Sequence, residues 1–201
     1  MCAAMREVVY AMLRAFGGGG FFRALNTAVI TPVVTACMLA GCASPPRPKD
    51  GLPARVPPGL QQMPDATPRV ETIRPGGPNK PYEVFGVRYV PLAADVALQE
   101  QGLASWYGTR FHGQPTSSGE VYDMFAMTAA HKTMPIPSYA RVTNPANGRE
   151  IVVRINDRGP FAPGRVIDLS YTAALKLDLL RGVAPVQVRR ITHGEIRASD
   201  L

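Results

Sequence analysis

The sequence contains few of the two side chains that most often bind transition metals, cysteine and histidine. The cysteines are Cys2, Cys37 and Cys42, and the histidines are His112, His131 and His193. The histidines lie far apart in the chain, without the short spacings typical of metal ligands. We therefore expect no metal ion and no other cofactor, so ordinary side chains would carry any chemistry.

Long uninterrupted apolar runs are also lacking. The apolar run over residues 24–39 is broken by polar residues and by Pro32, so it predicts a signal-peptide core and not a membrane-spanning helix. It ends in the sequence LAGC, residues 39–42, which resembles the bacterial lipobox. We predict a lipoprotein signal peptide over residues 1–41, cleaved before Cys42, with a lipid attached to that cysteine.

Cleavage at this point would leave Cys42 as the single cysteine, and acylation would block its thiol. The mature chain would then have no disulfide, no thiol nucleophile and no cysteine-based metal site. Residue 43 is alanine and not aspartate, which in such signals predicts a lipid anchor on the periplasmic face of the bacterial outer membrane.

Proline is unevenly distributed. Twelve of the 20 prolines fall between residues 43 and 91, in a stretch with few aromatic residues and almost no apolar periodicity. Such a segment buries too little apolar surface to offset its ordering entropy, so we predict a disordered linker over residues 42–78. One domain is predicted over residues 79–193, followed by a short tail over residues 194–201.

Acidic side chains are outnumbered, with 15 Asp and Glu against 22 Lys and Arg, a formal net charge of +7. This charge suits an anionic polymer such as cell-wall glycan, and it would equally suit anionic lipid. Nucleic acid is not expected as a partner of an exported lipoprotein. Charge alone therefore permits a wall partner without selecting one.

The domain is predicted to be mainly β, with one or two short helices. Strands are expected within residues 82–92 and 102–108, within 139–144 and 149–157 as a hairpin closed by the PANG turn, and in the APVQVRRI sequence at residues 184–191. Residues 125–131 fit either a strand or a short helix. A helix is predicted within residues 168–180, with Ser170 as N-cap. Many short strands in so small a domain favour a closed barrel, since closure removes exposed sheet edges.

The sequence RINDRGPF, residues 154–161, places Asp157 between Arg154 and Arg158 and follows it with Gly159-Pro160. The two arginines would favour the charged form of Asp157 if they lie close to it. The turn would fix the direction of its carboxylate. A turn carboxylate bonded to backbone N–H groups is the alternative.

Four motifs, ASWYG, GE.YD....TAAH, VRINDRGPF and R.IDLS, resemble the rare lipoprotein A family of septal-ring lytic transglycosylases from about Tyr82 to Ile191. The resemblance implies a six-stranded double-psi β-barrel. It also implies cleavage of peptidoglycan glycan strands between N-acetylmuramic acid and N-acetylglucosamine, leaving 1,6-anhydro ends, with preference for glycan stripped of its peptides. Many members carry a C-terminal SPOR domain, and none is expected here, since the sequence stops about ten residues after the last strand.

The resemblance places the catalytic carboxylates at Glu120 and Asp157. Cleavage needs a proton for the leaving oxygen and stabilisation of an oxocarbenium-like transition state, and the sugar's own 6-hydroxyl replaces water as nucleophile. We expect Glu120 to donate the proton and Asp157 to act as stabiliser or final base, although the roles could be reversed.

Seven further residues are candidates for binding or positioning substrate: His131, Asp123, Trp106, Tyr107, Tyr122, Lys132 and Arg158. His131 could position substrate or tune a carboxylate pKa, and Asp123 could orient that network or cap a turn. The aromatic pair Trp106 and Tyr107 could stack on sugars or fill the core, with Trp106 the better core candidate. The other three are expected at the cleft rim.

The main alternative is a non-catalytic, expansin-like lipoprotein that binds peptidoglycan without cutting it. A structural tether between membrane and wall is the third possibility. All three readings predict attachment to the wall, but only the enzyme needs Glu120 and Asp157 to form a product.

Overall fold

The computed structural model describes residues 50–73 and 75–199. The predicted signal peptide and Cys42 lie outside the described residues. The described part contains β1 (Tyr82–Val84), β2 (Val87–Tyr89), β3 (Gln99–Trp106), β4 (Thr128–His131), β5 (Ser138–Thr143), β6 (Glu150–Asp157), β7 (Arg165–Leu169), α1 (Tyr171–Leu177), β8 (Ala184–Ile191) and α2 (His193–Ser199). No helix in these described ranges is long and apolar enough to cross a membrane.

Six of the strands form a closed barrel in the order β3-β7-β4-β6-β5-β8. The pairs β3–β7 and β4–β6 are parallel, and the other four pairs are antiparallel. The predicted mainly β fold with a six-stranded barrel is confirmed. Strands β1 and β2 form a separate antiparallel hairpin at the entrance to the domain.

The barrel interior is filled by apolar side chains that alternate along the strands. Ile151, Val153 and Ile155 of β6 point inward and are 2% exposed or less, whereas the residues between them are more exposed. Each such side chain stabilises the fold by about 1.5–3 kcal/mol through burial. The alternation predicted from sequence therefore identifies the inner face of β6, and with it the outer face that carries polar groups.

Helix α1 follows directly from β7. Ser170 accepts a hydrogen bond from the backbone N–H of Ala173, as predicted for an N-cap. The predicted helix is too long at its N-terminal side, since Asp168 and Leu169 belong to β7. Strand pairing with β3 and β4 extends these residues and places Asp168 on the barrel surface.

The predicted disordered linker differs from the structure over residues 50–73 and 75–78, which pack on the barrel. Leu60 is 4% exposed and packs against α1 and its surroundings. Asp65 accepts a 2.8 Å hydrogen bond from the N–H of Val152, and Glu71 pairs with Arg154. A few polar contacts and one buried leucine thus hold a segment whose composition alone predicts disorder.

The predicted C-terminal tail is also ordered, because residues 193–199 form α2. Thr192 and Glu195 form a capping box, in which the Thr192 N–H donates to the Glu195 carboxylate at 2.8 Å and the Glu195 N–H donates to Thr192 Oγ1 at 3.3 Å. Ile196 is buried against Tyr139 and Ile191, which anchors the helix to the barrel.

Candidate active site

Asp157 ends β6 on the outer face of the barrel. The register of β4 and β6 shifts between Ala129, which pairs with Ile155, and Ala130, which pairs with Asp157. The extra residue, Asn156, forms a β-bulge, a feature that redirects side chains near active sites. The position of Asp157 is therefore set by strand pairing, on a rigid part of the fold.

The Asp157 carboxylate is held by three donors on one oxygen. Its Oδ1 accepts hydrogen bonds from the Ser117 N–H at 2.9 Å, the Ser117 hydroxyl at 2.6 Å and the Arg158 N–H at 2.8 Å. Because all three donors contact Oδ1, the carboxylate has a fixed direction with Oδ2 on the other side. The alternative of a turn carboxylate bonded to backbone N–H groups is therefore correct for the hydrogen bonds of Oδ1. These bonds leave Oδ2 of Asp157 available for a ligand.

The side chains of the two flanking arginines make their hydrogen bonds with groups other than Asp157, while Arg158 still interacts electrostatically with Asp157. Arg154 donates to Glu120 at 2.5 and 2.7 Å and to Glu71 at 2.9 Å. Burial lowers the pKa of Arg154, but the bonds to Glu71 and Glu120 outweigh it, and the pKa rises. Arg154 therefore joins the proline-rich segment to the loop that carries Glu120.

The Arg158 guanidinium acts mainly as a structural clamp. It donates to the carbonyl oxygens of Pro78, His131 and Met134 and to Asn79 Oδ1, at 2.6–3.1 Å. Burial lowers the pKa of Arg158 to about 10, with Tyr82 and Asp157 acting in the opposite direction. Arg158 also lines the cavity described below, as predicted for a cleft residue.

Glu120 lies on the polar loop that follows β3, on the same side of the barrel as Asp157. Both of its oxygens bind Arg154, and Oε2 also accepts a 2.9 Å hydrogen bond from Asn156. The side chain is 45% exposed. The structure therefore brings Glu120 near the end of β6, as an ion-paired carboxylate whose oxygens are occupied by donors.

His131 is buried at the end of β4, and its contacts agree with the second of its two predicted roles, the tuning of a carboxylate pKa. Its side chain is 1% exposed, and Nδ1 accepts hydrogen bonds from the N–H groups of Thr133 and Met134 at 3.1 and 3.0 Å. Nε2 lies 3.3 Å from Glu100, whose pKa it lowers against the opposing effect of burial. The pKa that this histidine tunes thus belongs to Glu100 of β3.

Asp123 and Lys132 both have structural contacts. Asp123 accepts a 2.9 Å hydrogen bond from the N–H of Phe125 and so caps a turn, one of its two predicted roles. Lys132 donates to the carbonyl oxygen of Arg165 at 2.6 Å, which ties the end of β4 to β7. This contact places Lys132 beside Arg165, which lines the cavity at Asp157, and the rim position of Lys132 stays a prediction.

The predicted aromatic residues are more buried than expected. Tyr107 and Tyr122 stack with ring centroids 4.0 Å apart, and they are 7% and 2% exposed. The Tyr122 hydroxyl donates to the Tyr107 carbonyl oxygen at 2.6 Å, so Tyr122 is a core residue and not a rim residue. Trp106 is partly exposed, the reverse of the order predicted for the pair.

A cavity of about 290 Å³ opens beside Asp157. Trp106, Tyr107, Phe111, Phe161 and Asp168 line it together with Asp157. Three of these lining residues, Phe111, Phe161 and Asp168, were not predicted from the sequence. Phe111, in the polar loop, and Phe161, at the end of the RINDRGPF sequence, could have been found as aromatic residues close to a motif. Asp168 was present in the R.IDLS motif, where it was assigned to a helix.

Segment 50–51 of the proline-rich region lies at the edge of this cavity. Asp50 Oδ1 accepts hydrogen bonds from the N–H groups of Gly108 and Arg110 at 3.0 and 3.2 Å. Gly108 is required for this contact, because a Cβ there would lie 2.2 Å from the Gly51 carbonyl oxygen. Within residues 50–73 and 75–199, no group of three or more His, Cys, Asp or Glu side chains could hold a metal ion.

Known proteins match this chain over the barrel. A family model described as lytic transglycolase matches residues 99–188. The endolytic peptidoglycan transglycosylase RlpA of Vibrio cholerae is 48% identical over 159 residues, which cover 77% of this chain and 60% of that protein. The protein of the same name from Pseudomonas aeruginosa is 56% identical over 112 residues, covering 55% of this chain and 33% of that protein.

Among solved structures, the Streptomyces papain inhibitor (SPI) matches with a TM-score of 0.38 and 24% identity, covering 47% of this chain and 94% of that one. The chain thus spans 60% or less of the length of the two RlpA relatives. The matching family model shows that the barrel domain belongs to the lytic transglycolase family, and identity of about half across the barrel shows that this domain is similar to the RlpA proteins of both organisms.

Proposed function

We propose that this protein is an endolytic peptidoglycan lytic transglycosylase. It cleaves the β-1,4 bond between N-acetylmuramic acid and N-acetylglucosamine and leaves 1,6-anhydro ends, on glycan that carries few peptides. The observation that carries the proposal is the fixed Asp157 carboxylate, held through Oδ1 at the rim of a cavity with aromatic walls. The activity for which the Vibrio cholerae and Pseudomonas aeruginosa relatives are named, at 48% and 56% identity, supports the same proposal.

Asp157 is the residue placed to handle charge and protons at the reacting sugar. The reaction develops positive charge on the ring and releases the proton of the 6-hydroxyl as that oxygen attacks. A carboxylate at the end of a rigid strand can stabilise the positive charge on the ring and accept the proton of the 6-hydroxyl. No water enters the products, so one well-placed base is sufficient on the attacking side.

Glu120 acts in this proposal by positioning Asp157. Its ion pair with Arg154 and its bond from Asn156 fix the loop that contains Ser117, and Ser117 in turn donates twice to Asp157. Both Glu120 oxygens already accept hydrogen bonds from Arg154 or Asn156, which leaves neither of them free to contact a leaving oxygen. The role of proton donor expected for Glu120 is therefore not part of this proposal.

We also propose that Cys42 carries a lipid that anchors the protein to the periplasmic face of the outer membrane. The support is the LAGC sequence after an apolar run. Such an enzyme would act in wall remodelling or daughter-cell separation. Metabolic labelling with a palmitate analogue tests the anchor: wild type should be labelled, and Cys42→Ser should be unlabelled and released from membranes.

The activity is tested by incubating the full-length protein with intact sacculi and with amidase-denuded glycan, then examining released fragments by mass spectrometry. Wild type should release fragments with 1,6-anhydro ends, mainly from denuded glycan. Asp157→Asn should lose about 10²–10⁴-fold in rate, and Glu120→Gln should lose less, because it acts indirectly. Asp178→Asn and Glu150→Gln are matched controls, since both residues are exposed and distant from the cavity.

Binding to sacculi without any released fragment, on both substrates, would contradict the proposal. That result would leave the alternative of a peptidoglycan-binding lipoprotein. Equal activity of Asp157→Asn and wild type would show that this carboxylate is not the reacting group.

A further inference from the structure

Asp168 is a second carboxyl group in the Asp157 cavity, and strand register explains how the two meet. Ala130 of β4 is the register partner of Asp157 on β6 and also of Asp168 on β7. Residues directly opposite each other on paired strands point to the same face of the sheet. The two carboxyl groups therefore flank Ala130 on the outer face of the barrel.

The distance from Asp157 across Ala130 to Asp168 suits a sugar ring. Neighbouring strands lie about 4.8 Å apart, so the backbones of Asp157 and Asp168 are separated by roughly 9–10 Å. Ala130 has the smallest side chain with a Cβ and leaves the space between them open. Both carboxyl groups line the 290 Å³ cavity, which also has aromatic walls.

The turn after Asp157 lies against Asp168. Gly159 has φ of 136°, and a Cβ built on it would lie 3.8 Å from Asp168 Oδ2 and 3.9 Å from Ala130 Cβ. The Gly159-Pro160 turn thus passes directly over Asp168. This places Oδ2 of Asp168 on the side of the cavity that faces the end of β6.

The surroundings of Asp168 differ from those of Asp157. Ser105, its register partner on β3, donates a short hydrogen bond to Oδ1 of Asp168 and is 8% exposed. The Arg165 guanidinium donates a 3.2 Å hydrogen bond to the same Ser105 hydroxyl, so the positive charge of Arg165 lies against Ser105. Ser105 therefore binds Oδ1 and leaves Oδ2 as the oxygen available to a ligand in the cavity that Asp168 lines.

Several charges surround this carboxyl group from the elements packed around it. Burial raises the pKa of Asp168, and the hydrogen bond from Ser105 and the charges of Arg165 and Lys132 lower it only in part, while Asp50 raises it further. Asp157 and Arg158 face it from the end of β6. The net direction is upward, so Asp168 takes up a proton more readily than an ordinary aspartate does.

We propose, on the basis of the function proposed above, that Asp168 is a second catalytic residue, which protonates the glycosidic oxygen while Asp157 accepts the proton of the attacking hydroxyl. The Oδ2 proton of Asp168 moves to the leaving oxygen as its bond to C1 breaks. The 6-hydroxyl oxygen of the same sugar bonds to C1, and its proton moves to Asp157. The two groups have then exchanged protonation states, and exchange with solvent restores them.

The assignment explains why Glu120 is not needed as the acid. Arg154 and Asn156 occupy the Glu120 oxygens, whereas Ser105 binds only one oxygen of Asp168, a residue that lines the cavity. It also gives Gly159 a function, because a side chain there would enter the space above Asp168.

The test compares full-length wild type, Asp168→Asn and Asp157→Asn on denuded glycan and on a glycan oligomer with a nitrophenyl leaving group. A nitrophenolate leaves without protonation, so loss of the acid matters little on that substrate. Asp168→Asn should lose about 10²–10⁴-fold in kcat on glycan yet stay within about threefold of wild type on the nitrophenyl substrate. Asp157→Asn should lose activity on both.

A second variant tests the same role by pH dependence. Ser105→Ala removes the donor that lowers the pKa of Asp168, so the pKa should rise. Activity that needs the protonated acid falls as pH rises through this pKa, so the alkaline limb of kcat/KM should move to higher pH in the variant. Asp178→Asn, with urea denaturation of every variant, controls for folding.

Three results would overturn the inference. Full activity of Asp168→Asn on glycan would remove the acid role and leave the proposed function intact. Equal losses on both substrates in a folded Asp168→Asn variant would show a structural role. Absence of anhydro products from wild type would contradict the proposed function itself, and this inference with it.

Discussion

Ser117 donates two hydrogen bonds to Asp157, one from its N–H at 2.9 Å and one from its hydroxyl at 2.6 Å. The two residues are separated by 40 positions in the chain. One comes from an irregular polar loop and the other from a barrel strand. This contact therefore makes the direction of the Asp157 carboxylate depend on the order of the Glu120 loop.

Ser117→Ala should lower kcat about tenfold without unfolding the protein. It removes one of two Ser117 donors to a charged acceptor, worth about 1.4 kcal/mol in the barrier. The backbone N–H donor remains, so the carboxylate should keep its general position. Rates on denuded glycan and thermal melting measure the two effects, with Ser199→Ala on α2 as the control. An unchanged kcat would show that the hydroxyl does not position Asp157.

Arg154→Lys should weaken both the activity and the docking of the proline-rich segment. The planar guanidinium contacts Glu71 and Glu120 at once, and a lysine ammonium is a point charge that cannot reproduce this fork. Hydrogen exchange over residues 65–73 should become faster, and kcat should fall by about tenfold, or about 1.4 kcal/mol.

Arg141→Lys is the matched control for that variant, because Arg141 pairs with Glu150 on the exposed surface of the neighbouring strand. It should change neither measurement. If Arg154→Lys left hydrogen exchange of the segment unchanged, the ion pair would not be what holds it on the barrel.

Tyr122→Phe should destabilise the fold while leaving the chemistry intact. The variant leaves the carbonyl oxygen of Tyr107 without its buried donor, at a cost of about 1–2 kcal/mol in the free energy of unfolding. Urea denaturation measures this cost, and kcat on denuded glycan should stay within about twofold of wild type. Loss of activity at unchanged stability would contradict the structural role and would support the rim position that the sequence predicts for Tyr122.

Glu195→Gln should make α2 less sensitive to acid. Bonds from the Thr192 N–H and from Arg189 lower the pKa of Glu195 to about 2, against a small opposing effect of burial. A folded-state pKa below the unfolded value means that the stabilisation is present above about pH 4.5 and is lost as pH falls towards 2.

The stability difference between wild type and Glu195→Gln should therefore be a few tenths of a kcal/mol at pH 7, since the group is partly exposed, and should vanish near pH 2. Urea midpoints across this range provide the measurement. A difference that persists unchanged at low pH would mean that the charge of Glu195 does not stabilise α2.

Local patterns predicted the parts of the fold that local forces determine. The β5–β6 hairpin follows from alternating side chains around a turn, and the start of α1 follows from Ser170 as N-cap. Residues 125–131 stayed ambiguous because an isolated short strand has no local signature. Pairing with β6 and β7 is what makes β4 a strand.

The site was predicted less completely for the same reason. Asp157 was identifiable because its motif is contiguous, but its partner Ser117 lies in a distant loop. Arg154 looked like a neighbour of Asp157 in sequence, yet its guanidinium binds Glu120 and Glu71, one on a distant loop and the other in the proline-rich segment. Asp168 shares a cavity with Asp157 only through the register of three strands, which no local pattern contains.

Cleavage of denuded glycan in water enriched in a heavy oxygen isotope tests the central claim most directly. In a lytic transglycosylase the 6-hydroxyl of the sugar is the nucleophile, so muramyl products should carry 1,6-anhydro ends without the heavy isotope. Their yield should fall to background in Asp157→Asn. Hydrated reducing ends that contain the heavy oxygen would show a hydrolase, and an absence of cleavage products from folded, glycan-bound wild type would contradict the enzyme altogether.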